Sequence, residues 1–110
     1  MKISNSEHRS LENELTEELR GTYEAARQRG YVATYFLQML EEHGGVETAK
    51  RLLAKSEPQA GLFELWRLGL LHESMEALVL HEKFKKLFTA DELTEAHRRL
   101  EELGFFNQGK

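Results

Sequence analysis

The first candidates for chemistry are two histidines and a glutamate. His72 and Glu76 stand four residues apart, and His81 follows one turn or so beyond. On one helix face they would offer imidazole and carboxylate ligands to a metal such as zinc. The grouping fails at Ser74, which the pattern marks as a helix N-cap, so helical spacing does not carry from His72 across to Glu76. No HExxH occurs, and isolated histidines at helix ends cap or solvate. Ser74 beside His72 also lacks the orienting third group and the oxyanion site that a serine nucleophile needs; capping accounts for it. The doublets Glu17-Glu18, Glu41-Glu42 and Glu101-Glu102 read as solvated faces, because an acid/base pair needs carboxylates held in a cleft with separated pKa values. Gly44-Gly45 lacks the Lys-Ser/Thr that would complete a phosphate loop. The expectation is no enzyme, with no catalytic residue, no metal site and no cofactor.

Glu76 raises a structural question instead. It interrupts the apolar run MEALVL, and an unpaired buried carboxylate costs several kcal/mol. Arg67 is the nearest basic residue in sequence, so a structural Glu76–Arg67 ion pair is expected. Arg98 or Arg99 could arrive instead from the last helix, and simple exposure of Glu76 is the competing reading.

The basic residues form small knots. Lys83, Lys85 and Lys86, with Arg98 and Arg99 close by, are the candidate nucleic-acid contacts, since lysine and arginine at helix ends can hold phosphates. Lys50, Arg51 and Lys55 form a second knot. Acidic residues neighbour both, and the net charge of −4 supplies no global field for a polyanion. Residues 32–55 have the spacing of a helix-turn-helix, but the second helix lacks Asn, Gln and Arg on one base-reading face.

The elements that must position these groups are helical. Leu, Glu, Ala, Lys and Arg dominate, β-branched residues are scarce, and there is one proline, a balance that favours helix over strand. The length of 110 residues is that of one domain able to bury its own core. Cysteine is absent, which removes disulfides and a thiol nucleophile. The first residues lack the apolar centre of a signal peptide, and no apolar run approaches the ~18–20 residues that span a bilayer. A cytoplasmic location is expected.

The spacing predicts an all-α protein: one orthogonal bundle of about six short helices without a sheet. A first helix is expected from Ser6 or Ser10 to residue 29, with residues 1–5 frayed and Gly21 marking a kink or a close crossing. Its stripe of Leu11, Leu15 and Leu19 is a candidate interaction helix that zips to another chain or packs on its own core. Residues 1–29 are read as a peripheral arm on a compact module spanning 30–106. Helices over 32–43 and 46–55 should meet at a glycine corner, the first presenting Val32, Tyr35, Phe36, Met39 and Leu40. Pro58 opens a fourth helix that buries Leu62, Phe63, Leu65 and Trp66, the expected centre of the molecule. Ser74 caps a fifth helix over 75–81. Phe84, Leu87 and Phe88 anchor a linker. Thr89 and Glu92 then form a capping box for a sixth helix that ends before Gly104, after which Phe105 and Phe106 fold back.

The run YVATYFLQMLEEHGGVETAKRLL followed by GLFELWRLGLLHESMEALVLHEKFKKLFTADELTEAHRRLEELGF resembles a small all-helical bacterial module of uncharacterised function. That module occurs alone or fused to restriction-type nucleases and helicases. The resemblance covers about residues 30–106, carried by Gly44-Gly45, Trp66 and the Ser74/Glu76 pair in order. It implies a helical fold and a setting in DNA processing or phage defence, and it transfers no catalytic residue. The functional expectation is a non-enzymatic interaction module that binds a protein partner or itself as a homodimer, without a membrane. The alternative is a small nucleic-acid-binding domain.

Overall fold

The computed structural model describes residues 4–56 and 59–107, and these are helical with no strand among them. Helix α1 spans Asn5–Gln28. Its cap is Ser4 rather than Ser6 or Ser10. The Glu7 N–H donates to Ser4 Oγ at 3.1 Å, and the Ser4 N–H donates to the Glu7 carboxylate at 3.2 Å, a complete capping box. Ordered helix thus begins at residue 5, inside the stretch expected to fray.

Leu15 and Leu19 of α1 are wholly buried and Leu11 is partly so. Of the two readings of the Leu11, Leu15 and Leu19 stripe, the structure takes packing on the protein's own core over a surface for another chain, and α1 is not a peripheral arm. The leucine stripe is the floor of the protein's own core, because α1 lies along helix α2, Thr34–Leu53.

Gly21 is also corrected. It is exposed within regular helix, and a Cβ there would meet nothing within 4 Å. The close crossing lies at Gly45. Its N–H donates to Thr16 Oγ1 at 2.8 Å, and a Cβ at this position would sit 2.9 Å from the Thr16 backbone nitrogen. The preceding Gly44 has φ 78° and ψ 173°, a conformation that suits a residue without Cβ. The two helices expected on either side of Gly44-Gly45 are present as the two arms of α2, which meet at a sharp non-helical corner at Gly44. That corner lets the α2 backbone touch α1.

Past the corner, Val46, Ala49 and Leu53 are buried as their spacing requires. Before it the apolar face is narrower than expected. Met39 and Leu40 are buried and Phe36 partly so, but Val32 is exposed and Tyr35 is 65% exposed. Helix has not begun at residue 32, so the helical phase does not reach back to it.

Helix α3, Ala60–Arg67, overturns the expected centre. Leu62 is buried and Leu65 partly buried, whereas Phe63 and Trp66 are 50% and 45% exposed. The four apolar positions spread over about 160° of the helix circumference at 3.6 residues per turn. The core covers only the Leu62–Leu65 side, so Phe63 and Trp66 turn outward, ring centroids 5.3 Å apart. The break expected at Ser56-Glu57-Pro58 lies partly outside the described residues, which omit Glu57 and Pro58.

The remaining elements follow their signals. A 3-10 turn, Leu71–Glu73, leads into α4, Met75–Val79, whose cap is Ser74: the Ala77 N–H donates to Ser74 Oγ at 3.1 Å. Phe84, Leu87 and Phe88 are buried along the connection to α5, Ala90–Glu102. The Thr89–Glu92 capping box is present, and Ala96 and Leu100 face inward. After Gly104, Phe105 packs on a small cluster of Leu62, Leu71 and Leu100. Phe106 stays largely exposed and stacks on His97, with centroids 4.2 Å apart. The main core is built by Leu15 and Leu19 of α1, Leu40 and Ala49 of α2, Val79 of α4 and Ala96 of α5. No helix among the described residues is long and apolar enough to cross a membrane.

Candidate functional site: an apolar cleft over a buried ion-pair knot

A helix ends with carbonyls that have no intrahelical partner. At the end of α2 those partners come from α5. Arg99 lies three residues beyond Ala96 and one before Leu100, on the inward side of α5, and only 5% of it is exposed. Its Nη2 donates to the carbonyls of Leu52 at 3.0 Å, Leu53 at 3.4 Å and Lys55 at 2.9 Å. A cation at a helix C-terminus also complements the helix dipole.

The same guanidinium holds two carboxylates. Arg99 Nη1 donates to Glu76 Oε2 at 3.1 Å, and Nε donates to Glu95 Oε2 at 2.7 Å. Glu76 is 4% exposed. The expected Glu76–Arg67 pair is therefore corrected: Arg99 is the partner. Arg67 sits on the surface at the end of α3 and donates to Glu64 of its own helix at 2.6 and 3.0 Å. Nearness in sequence lost to the packing of α5 against α4 and α2.

The two carboxylates respond in opposite directions. Burial pushes the Glu76 carboxyl above the usual range, against the pull of its own backbone N–H and of Arg99. Glu95 takes hydrogen bonds from both Arg98 and Arg99 and is held down at about 2. Desolvation dominates at the first site, charge-assisted hydrogen bonding at the second.

Above Glu76 opens a cleft of about 460 Å³ between α1, α2 and α3. Ala26 of α1, Tyr31, Phe36 and Met39 toward α2, and Leu62 and Leu65 of α3 form much of its wall, and Glu76 lies in its lining. At the edge, the Thr22 hydroxyl is tied to the carbonyls of Glu73 at 2.6 Å and Glu18 at 3.1 Å. A concavity of this volume, mostly apolar with a few polar groups, is the common form of a small-molecule site.

The candidate nucleic-acid residues do not form one patch. Arg99 is buried in the knot and cannot reach a phosphate. Arg98 is bound to Glu95 and Glu102, Lys83 to Glu14 and Lys85 to Glu82. Lys86 is exposed and has no ion pair among the described residues. In the second knot, Lys50 meets Glu92 at 2.8 Å and Arg51 meets Glu47 at 2.9 Å. Among the described residues no group of three or more His, Asp or Glu side chains is placed to hold a metal. His72 and His81 are exposed, and Ser74 is fully buried under its cap.

Two features carried legible signals. Ser4-x-x-Glu7 is a capping-box pattern, and Arg99 interrupts the apolar stripe of α5 at an inward position. The cleft carried none, because its walls come from residues 22–76 and depend on how far apart three helices stand. No protein-family model, curated protein or solved structure matches the chain.

Proposed function

We propose that the protein is a non-enzymatic interaction module. It binds a protein surface, of a partner or of a second copy, through the aromatic ridge of α3 and the neighbouring rim of the cleft. The observation that carries this reading is the 45–65% exposure of Val32, Tyr35, Phe63 and Trp66. Large aromatic side chains left in water are what an interface core uses, and burying them returns about 25 cal/mol per Å² of apolar surface. The alternative, a nucleic-acid-binding domain, draws less support, since most of its candidate cations are bound to carboxylates and Arg99 is buried. The setting in bacterial DNA processing or phage defence belongs to the same proposal and rests on the resemblance of residues 30–106.

The test pairs the wild-type chain with a Phe63→Ser/Trp66→Ser double variant. Light scattering behind size exclusion measures self-association, and affinity capture followed by binding of the purified captured protein measures a partner. The proposal expects an association that the double variant loses while keeping its helical circular dichroism. A monomer whose captured proteins are the same for both chains overturns it. Salt-sensitive binding to labelled DNA or RNA with no protein association would favour the alternative.

A further inference from the structure

We propose that the cleft between α1, α2 and α3 is a binding site for a small hydrophobic molecule carrying a protonated amine, with Glu76 as the carboxylate that receives the ammonium. This site shares Val32 and Tyr35 of its rim with the protein-binding surface proposed above, but Phe63 and Trp66, on which the test of that surface turns, lie outside the cleft lining.

Size and lining set the body of the ligand. About 460 Å³ walled by Tyr31, Phe36, Met39, Leu62 and Leu65 suits an aryl or alkyl group of drug-like size. Tyr23 and Tyr31 also line it, and tyrosine faces attract organic cations.

Charge sets the head. A carboxylate has about four lone-pair directions. Glu76 receives Arg99 at 3.1 Å, longer than the 2.7–2.9 Å typical of a charge-assisted bond. Arg99 has little more to offer, because its other nitrogens serve Glu95 and the carbonyls of Leu52, Leu53 and Lys55. Along the series Glu76, Arg99, Glu95, Arg98, Glu102, two guanidiniums meet three carboxylates. With all three carboxylates ionised one negative charge is left over, and the end of the series that lines the cleft is Glu76, where burial opposes the charge and an ammonium would stabilise it. An ammonium entering the cleft completes the series. An anionic ligand would instead meet a carboxylate, and a purely apolar one would cover Glu76 without supplying a donor.

The test uses three probes with one body and three heads: 1-naphthylmethylamine, 1-naphthalenemethanol and 1-naphthoic acid. Each is titrated into the full-length chain and followed by amide chemical shifts. The amine should bind at least about tenfold more tightly than the other two, with its largest shifts at Thr34, Gly61 and Leu65. Glu76→Gln should bring the amine down to the affinity of the alcohol. Because that variant also disturbs Arg99, Ala33→Trp provides a second arm. It fills the rim, leaves the ion-pair knot in place and should weaken the amine at least tenfold. Equal affinity for the three probes, preference for the alcohol or the acid, shifts outside the cleft, no saturable binding, or unchanged amine affinity in Ala33→Trp would each overturn the proposal.

Discussion

The end of α5 and the face of α3 treat their residues in opposite ways. At α5, the most polar of side chains is buried, and each of its nitrogens has an acceptor: Arg99 joins α2, α4 and α5 through Glu76, Glu95 and three carbonyls. At α3, Phe63 and the protein's one tryptophan are left about half exposed. Burial here follows what each element is packed against more than how apolar a side chain is. Helix α5 lies between α2 and α4, so even its arginine is covered. Helix α3 has eight residues and one covered side, so half of its apolar circumference stays outside.

The contrast can be broken most sharply at Arg99. Arg99→Ala strands Glu76 as a buried charge and uncaps α2, and should cost about 3–5 kcal/mol in urea unfolding. Replacing the pair together, as Glu76→Leu/Arg99→Met, should cost less than Arg99→Ala alone, because no charge is then left buried. A double variant no more stable than the single one would show that Arg99 acts mainly through the α2 carbonyls.

Next comes the helix crossing. Gly45→Ala forces a Cβ against the Thr16 backbone and should lose about 1–3 kcal/mol. Gly21→Ala, with nothing nearby, should gain up to about 1 kcal/mol from helix propensity. Thermal melts of the two variants should therefore move in opposite directions.

Acid sharpens the comparison within the knot. Glu95 is held at about 2, below an unfolded value near 4.3. Its contribution is present above that unfolded value and is lost as pH falls toward 2. Glu95→Gln should be less stable than wild type at pH 7 by about 1 kcal/mol, and the gap should close between about pH 4.3 and 2. Glu76 works the other way. With its carboxyl raised by burial, its contribution is greatest at low pH, below the unfolded value, and is lost as pH rises through the folded one.

At α3 the effect is modest for so large a side chain: Trp66→Ser should cost about 1–2 kcal/mol, below the about 3–5 kcal/mol of truncating a fully buried tryptophan, because 45% of Trp66 is exposed. A loss of several kcal/mol would place Trp66 back in the core.

Local signals decided most of the helices. Thr89-x-x-Glu92, Ser74 and Gly104 mark ends that the structure keeps, and the i, i+4 spacing of Leu15 and Leu19 marks an inward stripe. These are legible because capping and helical phase involve residues within one or two turns of each other. Nothing so local distinguishes a leucine stripe that lies on its own core from one that waits for a partner, so the role of α1 had to come from α2 lying against it. Gly21 and Gly45 look alike as letters, yet only Gly45 meets another backbone.

Composition, helical phase and capping residues by themselves determined that this chain folds into helices and where most of those helices begin. The tertiary structure alone decided that Arg99 rather than Arg67 neutralises Glu76, that Trp66 faces water, and that a cleft opens between α1, α2 and α3. The reason is one of range. A hydrogen bond within a turn is specified by neighbours in the chain. A buried charge or a cavity depends on the distance between elements dozens of residues apart, which the packing of the whole core sets.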